Sequence, residues 1–260
     1  MTVGWLETSF PVKDVGVTRG WYEKLGFQAV STADAGKSVT MQAGECRLAL
    51  YEGVLGPAEP QLIFWQGDVE GCAETLTKAG VTFEQALKTN DKGTAFMVRD
   101  PDGQLIYVIR EPGVTKDMPA AAPVPDLERG FVQVSLPVKD PNRTAAFYEM
   151  LGFRRSVVLD KEGVTPDPRV AALTNGECRI CLYQGYLDPD ELQLNFWQGD
   201  IDAVAARVRE HDLGFLREPH GDDKGAAFML TDPDGRPIFF INMGKYTAAN
   251  FVSETGEMLA

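Results

Sequence analysis

KGTAFMVRDPDG, residues 92–103, is written again as KGAAFMLTDPDG at 224–235, and WYEKLGF at 21–27 returns as FYEMLGF at 147–153. Three further pairs accompany them: PVKD at 11–14 and 137–140, GECRLALY at 44–51 and GECRICLY at 176–183, QLIFWQGD at 61–68 and QLNFWQGD at 193–200. The chain is a tandem repeat, and a repeat of this length decides the architecture before any single element is assigned. The offset between copies grows from 137 − 11 = 126 to 176 − 44 = 132, so the second copy holds 132 − 126 = 6 extra residues within RRSVVLDKEGVTPDPRV, 154–170. Insertions of that kind fall in loops.

Each copy divides again. WLETSFPV alternates as a strand does, and Asp14 stands where a helix N-cap would, ahead of Val17, Trp21, Tyr22 and Leu25 on one face and a stop at Gly26. In the second copy Pro141 follows Asp140, the favoured residue for a first helical turn. GECRLALY alternates as a strand, then the pattern restarts: QLIFWQG is a strand, Asp68 a cap, and VEGCAETLTKAG a helix closed by Gly80. Its counterpart runs from Asp200 through Val204 and Val208 to Gly214. AFMVRD and QLIYVI are two strands joined by the PDG turn. The expected organisation is a first domain over 1–111, a Pro/Ala-rich linker over 112–129, a second domain over 130–243 and a tail over 244–260.

Composition narrows the partners. The chain has 260 residues, 44% hydrophobic and 24% charged, which is globular usage. With 25 basic and 38 acidic residues the formal charge is −13, and no run of Lys and Arg forms a basic stripe, so nucleic acid and anionic membrane are not expected partners. No window approaches the ~18 uninterrupted apolar residues of a membrane span, and MTVGWLETSF lacks the features of a signal peptide. Four cysteines in a chain of this length do not make a disulfide framework. A soluble, cytoplasmic protein, monomer or homodimer, is the expectation.

V-x-D before the first helix of each copy, FY-x-x-LGF or its WY variant at the helix end and DPDG before the last strand resemble the vicinal oxygen chelate superfamily: glyoxalase I, the bleomycin-resistance proteins and the extradiol dioxygenases. The resemblance covers residues 4–243 in both copies. It implies an α+β fold of four βαβββ units in two tandem halves, each half a curled mixed sheet forming a cup with helices outside. In the enzymes of the family it also implies a divalent metal at the base of the cup.

The positions that the resemblance assigns to metal ligands carry Glu7, Gln61, Tyr107 and Ala49 in the first half. In the second they carry Gln133, Gln193, Phe239 and Cys181. None is histidine, and a neutral amide oxygen is a weak donor to the ions such sites use. Neither a metal nor a cofactor is expected, and the metal-dependent chemistry of glyoxalase I and the dioxygenases is not expected with them. Outside the family pattern, His211 and His220 read as solvated. Cys178 and Cys181, i and i+3 on a strand, point to opposite faces and read as packed thiols. No G-x-S-x-G elbow supports a nucleophile.

Strand alternation places other side chains beside those positions. They are Ser9, Arg47, Tyr51 and Trp65 in the first half, with Glu7 and Gln61. In the second half they are Ser135, Arg179, Tyr183, Asn195 and Trp197, with Gln133 and Gln193. Such a surface suits a small organic molecule with a flat body and a polar or anionic substituent. The same aromatics are also ordinary core residues, and Arg47 and Arg179 have Glu45 and Glu177 two residues earlier as structural partners. A shift of one residue would put Phe64, Gln66, Phe196 and Gln198 into the cup instead. Three functions follow: a small-molecule binder of the bleomycin-resistance type, a lyase, isomerase or oxygenase relative using Glu7 or an unrecognised metal site, and an interaction module whose cups are filled. For catalysis the candidates are Glu7 as general base and Tyr107 as its hydrogen-bond partner.

Overall fold

The computed structural model describes residues 2–53, 61–114, 130–158, 167–187, 192–222, 225–244 and 251–253. The first unit is β1 (Gly4–Val12), α1 (Val15–Leu25), β2 (Gln28–Ala33), β3 (Ser38–Ala43) and β4 (Cys46–Glu52). The second is β5 (Gln61–Gln66), α2 (Val69–Lys78), β6 (Phe83–Asn90), β7 (Gly93–Arg99) and β8 (Leu105–Arg110). The third is β9 (Phe131–Pro137), α3 (Pro141–Met150), β10 (Arg154–Val158), β11 (Val170–Thr174) and β12 (Arg179–Tyr183). The fourth is β13 (Gln193–Trp197), α4 (Ile201–Glu210), β14 (Arg217–Asp222), β15 (Gly225–Thr231) and β16 (Pro237–Asn242). These are the four βαβββ units expected. The insertion in 154–170 lies between β10 and β11; residues 159–166, the linker from 115 to 129, and 245–250 and 254–260 of the tail lie outside the described residues. The tail nevertheless contributes a strand, β17 (Phe251–Ser253), which pairs antiparallel with β10.

The caps behave as their residue types dictate. Asp14 Oδ1 accepts from Val17 N at 2.9 Å, Asp68 from Gly71 N at 3.0 Å, Asp140 from Asn142 N at 2.9 Å and Asp200 from Ala203 N at 3.1 Å. Helix α1 ends at Gly26 in the left-handed region, φ 119°.

Each half is one mixed sheet. The strand order is β2-β3-β4-β1-β5-β8-β7-β6 in the first and β14-β15-β16-β13-β9-β12-β11-β10-β17 in the second. In both halves the units meet where their first strands pair antiparallel, β1 with β5 and β9 with β13, each flanked by a parallel neighbour. The closeness of this junction explains a glycine. A Cβ at Gly130 would lie 1.9 Å from Trp197 O, and one at Gly4, the equivalent position, 1.9 Å from Trp65 O.

Alternation sorts the side chains. Leu6, Phe10, Leu48, Leu50, Leu62, Phe64, Ile106 and Val108 pack on the core face with Tyr22 and Leu25 of α1 and Leu76 of α2. This core runs on into the second half: Phe64 meets Phe153 edge-to-face at 5.8 Å, and Phe27 meets Phe196 at 6.1 Å.

The DPDG turns complete the joint between halves, each gripping the first unit of the other. Asp234 accepts from Lys13 N at 2.9 Å and from Thr18 Oγ1 at 2.7 Å, and Asp232 accepts from Tyr22 OH at 3.3 Å. Reciprocally, Asp102 accepts from Lys139 N at 2.8 Å and from Thr144 Oγ1, and Asp100 accepts from Tyr148 OH at 3.2 Å. The tyrosines and threonines come from the helix preceding LGF, so the two repeated motifs that mark the chain bind one another across the pseudo-twofold.

Candidate functional site: a cup in the first half

On the face opposite the core the first sheet borders an open cavity of about 240 Å³, lined by Trp5, Glu7, Arg47, Ala49, Tyr51 and Trp65 from β1, β4 and β5, with Ser31, Ala33, Ser38, Val39, Thr40 and Val114. The phase of the strands is therefore settled by the core: Phe64 belongs to it, and the odd-numbered set faces the cavity. Gln66 joins neither face. At φ 64° it turns its amide onto the chain leaving β8, accepting from Glu111 N at 2.9 Å and donating to Glu111 O at 2.8 Å and to Val114 O. Gln198, φ 63°, repeats this by accepting from Met243 N at 2.7 Å.

Trp5 and Trp65 are paired directly across β1 and β5 and stack at 5.5 Å with 14° between planes. The Arg47 guanidinium lies over Trp5, 4.5 Å from its centroid, a cation–π contact. Its Nη2 is 3.7 Å from Glu7 Oε2, with side-chain exposures of 8% and 4%: a buried ion pair whose atoms stand further apart than a hydrogen bond. Burial pushes the Glu7 carboxyl above the usual glutamate range, against the pull of Arg47. Burial likewise lowers Arg47, and Glu7 opposes it. The Trp65 indole N–H also acts on the Glu7 carboxylate, although its geometry stops short of a hydrogen bond.

Two expected contacts are corrected here. Glu45 does not pair with Arg47; it reaches into the other half, accepting from Arg179 Nη1 at 3.0 Å and from Val132 N at 2.9 Å. The register of the parallel pair β1–β4 sets Arg47 beside Glu7 instead, whereas Glu45 lies beyond the end of β4, facing β9. Tyr107 is not the hydrogen-bond partner of Glu7: the register Glu7, Ile63, Tyr107 puts it two strands away, roughly 10 Å by strand spacing.

The remaining candidates fall as follows. Ser9 is fully buried with its Oγ unpartnered and lies outside the cavity lining; the side chain of Gln61 lies outside the described residues. In the second half, buried Gln133, Ser135 and Asn195 form a polar cluster. Asn195 Nδ2 donates to Ser135 Oγ at 2.7 Å, and Gln133 Nε2 reaches Ser135 Oγ at 3.4 Å and Tyr183 OH at 3.5 Å. Gln193 is buried beside Ser135 in register, and Trp197 stacks on Phe131 at 6.2 Å, with Arg179 over the other ring. The two cups thus differ: the charged pair Glu7–Arg47 becomes Gln133 and an arginine turned toward the other half. Both histidines are exposed, and all four cysteines are free. Trp5, Ser38 and Thr40 were missed in the sequence. Trp5 shares the parity of Glu7 and was legible, whereas β3 has no motif to mark its cavity-facing residues.

A paired βαβββ sheet curled around such a cavity defines the class. The model of the Glyoxalase/Bleomycin resistance protein/Dioxygenase superfamily matches residues 4–108 and 130–240, and the chain belongs to that family. Among solved structures it is similar to a catechol 2,3-dioxygenase (TM-score 0.62, 16% identity, 92% of this chain and 86% of that one). It is similar also to an extradiol ring-cleaving dioxygenase from B. fuscum (0.64, 20%, 94% and 72%) and to the Mn(II)-bound glyoxalase from Novosphingobium aromaticivorans (0.62, 17%, 92% and 81%). At these identities the likeness is one of fold. No curated protein matches the chain.

The residues at the family's metal positions do not fit a divalent ion. Glu7 already faces a guanidinium, whose charge would repel a cation in the same cup. In the other half Cys181 is buried with its thiol pushed up to about 12, so it stays protonated, and Phe239 offers no donor atom. Among the described residues no three His, Cys, Asp or Glu side chains come together as a ligand group. No helix described is long and apolar enough to cross a membrane.

Proposed function

We propose that this chain is a small-molecule-binding member of its family, taking a flat organic ligand into the first-half cup. The observation that carries this reading is the cavity of about 240 Å³ with Trp5 and Trp65 on its wall and the Glu7–Arg47 pair in its lining. Divided by the ~30 Å³ that a water occupies, it corresponds to about eight waters, room for a one- or two-ring molecule. Aromatic walls with a few convergent polar groups are what such a ligand needs. The formal charge of −13 supports work away from nucleic acid and anionic membrane.

The test is a screen of aromatic compounds by thermal shift and calorimetry, repeated on Trp65→Ala. A compound that binds the natural chain and loses at least tenfold in affinity with Trp65→Ala supports the reading. Binding unaffected by Trp65→Ala and by Arg47→Gln would place the ligand elsewhere.

A second reading, catalysis without the family's metal, draws on one observation: Glu7 is a cavity-lining carboxyl whose pKa burial raises, which suits a general base. Turnover of a bound compound that Glu7→Gln abolishes, with affinity retained, would make the protein an enzyme of the lyase or isomerase type. If no compound binds, the first-half cavity is not a ligand site for such molecules and the interaction-module reading gains.

A further inference from the structure

Deepening the reading of the first-half cup as a ligand site, and resting on it, we infer that Val114 sets the length of the flat body the cup accepts, and that Gln66 is the positioning residue that holds Val114 there. Among the described residues that line the cavity, Val114 alone lies off the sheet; the others belong to β1–β5. Strand pairing fixes the sheet side of the cavity, whereas its boundary away from the sheet depends on where one side chain stands.

Local chemistry fixes that side chain. Glu111, Pro112, Gly113 and Val114 follow β8 and close on themselves, Val114 N donating to Glu111 O at 3.3 Å, with proline second and Gly113, φ 81°, third. That is the pattern of a type II turn. One side chain then docks the whole turn: Gln66 Nε2 donates to Glu111 O at 2.8 Å and to Val114 O, and its Oε1 accepts from Glu111 N at 2.9 Å. To do so Gln66 takes φ 64°, an uncommon conformation for a residue with a Cβ, directly after the cavity-lining Trp65. The second half keeps the staple without the turn. Gln198, φ 63°, accepts from Met243 N at 2.7 Å, but the four equivalent positions carry Met243, Gly244, Lys245 and Tyr246, with no Pro-Gly pair. The Pro-Gly turn is thus confined to the half whose cavity it borders. One methylene in an apolar pocket discriminates between ligands by about 10- to 200-fold, so a valine at this boundary is enough to choose between bodies of different length.

Three alcohols with one polar group and flat bodies of growing length test this: benzyl alcohol, 2-naphthylmethanol and 4-biphenylmethanol, titrated into 15N-labelled full-length protein with the indole N–H signals of Trp5 and Trp65 as reporters. The natural protein is expected to bind 4-biphenylmethanol at least tenfold more weakly than 2-naphthylmethanol. Val114→Ala is expected to narrow that ratio at least tenfold, and Val114→Phe to weaken 2-naphthylmethanol at least tenfold relative to benzyl alcohol. Gln66→Asn, which tolerates the left-handed conformation but is one methylene too short to span the turn, is expected to move the ratio in the direction of Val114→Ala. Gln198→Asn, the same change in the other half, is expected to leave it unmoved. A ratio of affinities, unlike affinity itself, does not follow a general loss of stability. If 4-biphenylmethanol binds the natural protein as tightly as 2-naphthylmethanol, or if both Val114 variants keep the natural ranking, the inference is overturned while the responding tryptophans leave the ligand site standing. A ranking changed by the Val114 variants but not by Gln66→Asn overturns the role of Gln66. No response of Trp5 and Trp65 to any of the three compounds overturns both the inference and the ligand site. Should Gln66→Asn fail to give a folded spectrum, the two Val114 variants, altered only in a half-buried turn residue, decide.

Discussion

Glu7 and Arg47 are a buried pair of opposite charges, and such pairs contribute little when intact and cost much when broken. Arg47→Leu is therefore expected to lower stability by about 3 kcal/mol at pH 8, read as a shift of the urea midpoint. At pH 5 the loss is expected to be smaller, because Glu7 can then take up a proton and cease to be a lone buried anion. The natural protein carries a weaker form of the same dependence. Its Glu7 carboxyl is raised by burial, so the folded state holds the proton more tightly than the unfolded chain does. Unfolding then releases a proton, and this contribution to stability is full below the ordinary glutamate range and is lost as pH rises through the folded value. Subtracting the stability curve of Glu7→Gln from that of the natural chain isolates it. A difference that grows with rising pH, rather than falling, would show that Arg47 and not burial controls the carboxyl.

At the scale of elements the DPDG turn has a second duty. As a turn it joins the last two strands of a half, where Asp100 N and Asp232 N each donate to the backbone O four residues on, at 3.0 and 2.9 Å. As a clasp it holds the other half, where Asp234 accepts from one backbone N–H and one hydroxyl. Asp234→Ala is expected to cost about 2 kcal/mol, the sum of two modest hydrogen bonds to a carboxylate whose side chain is 5% exposed and also faces Arg236, and Asp102→Ala a similar amount. Equilibrium urea unfolding checks both. Gly130 offers a sharper case. With a Cβ 1.9 Å from Trp197 O, Gly130→Ala must part β9 from β13, the central pair of its sheet, and is expected to cost more than either clasp variant. The glycines at φ > 0 in open turns, Gly103 and Gly235, have no atom near their missing Cβ, and there only backbone strain opposes substitution.

For the whole molecule the two halves share one core. Phe64 against Phe153 and Phe27 against Phe196 cross the junction, and four hydrogen-bonding aspartates close it from both sides. Scanning calorimetry is expected to show a single transition, with calorimetric and van't Hoff enthalpies equal. Two resolved transitions would mean that the halves unfold independently and that the clasps contribute little. The duplication has also diverged at positions on the cup face of the sheets while its frame is kept. Caps, turns, the left-handed glutamines and the packing tyrosines repeat, and the pairs Glu7 and Gln133, Trp5 and Phe131 do not.

Much of this was legible in one dimension. The repeat, the Asp caps, the alternation of strands and the motifs WYEKLGF and DPDG are local signals, each written in a few adjacent residues and read by steric and hydrogen-bonding rules that act over a few residues. They determined four βαβββ units in two halves and two alternative sets of cup residues, between which the packed core decided. What only the tertiary structure decided depends on residues far apart in sequence that meet through register and docking. Arg47 found Glu7 rather than Glu45 because β1 and β4 pair in parallel with Thr8 beside Leu48. The DPDG aspartates found the opposite helix because the halves close about a pseudo-twofold, and Tyr107 was carried away from Glu7 by the strand between them. Alternation says which side chains share a face; only the pairing of strands and the packing of halves says which face it is and what they meet there.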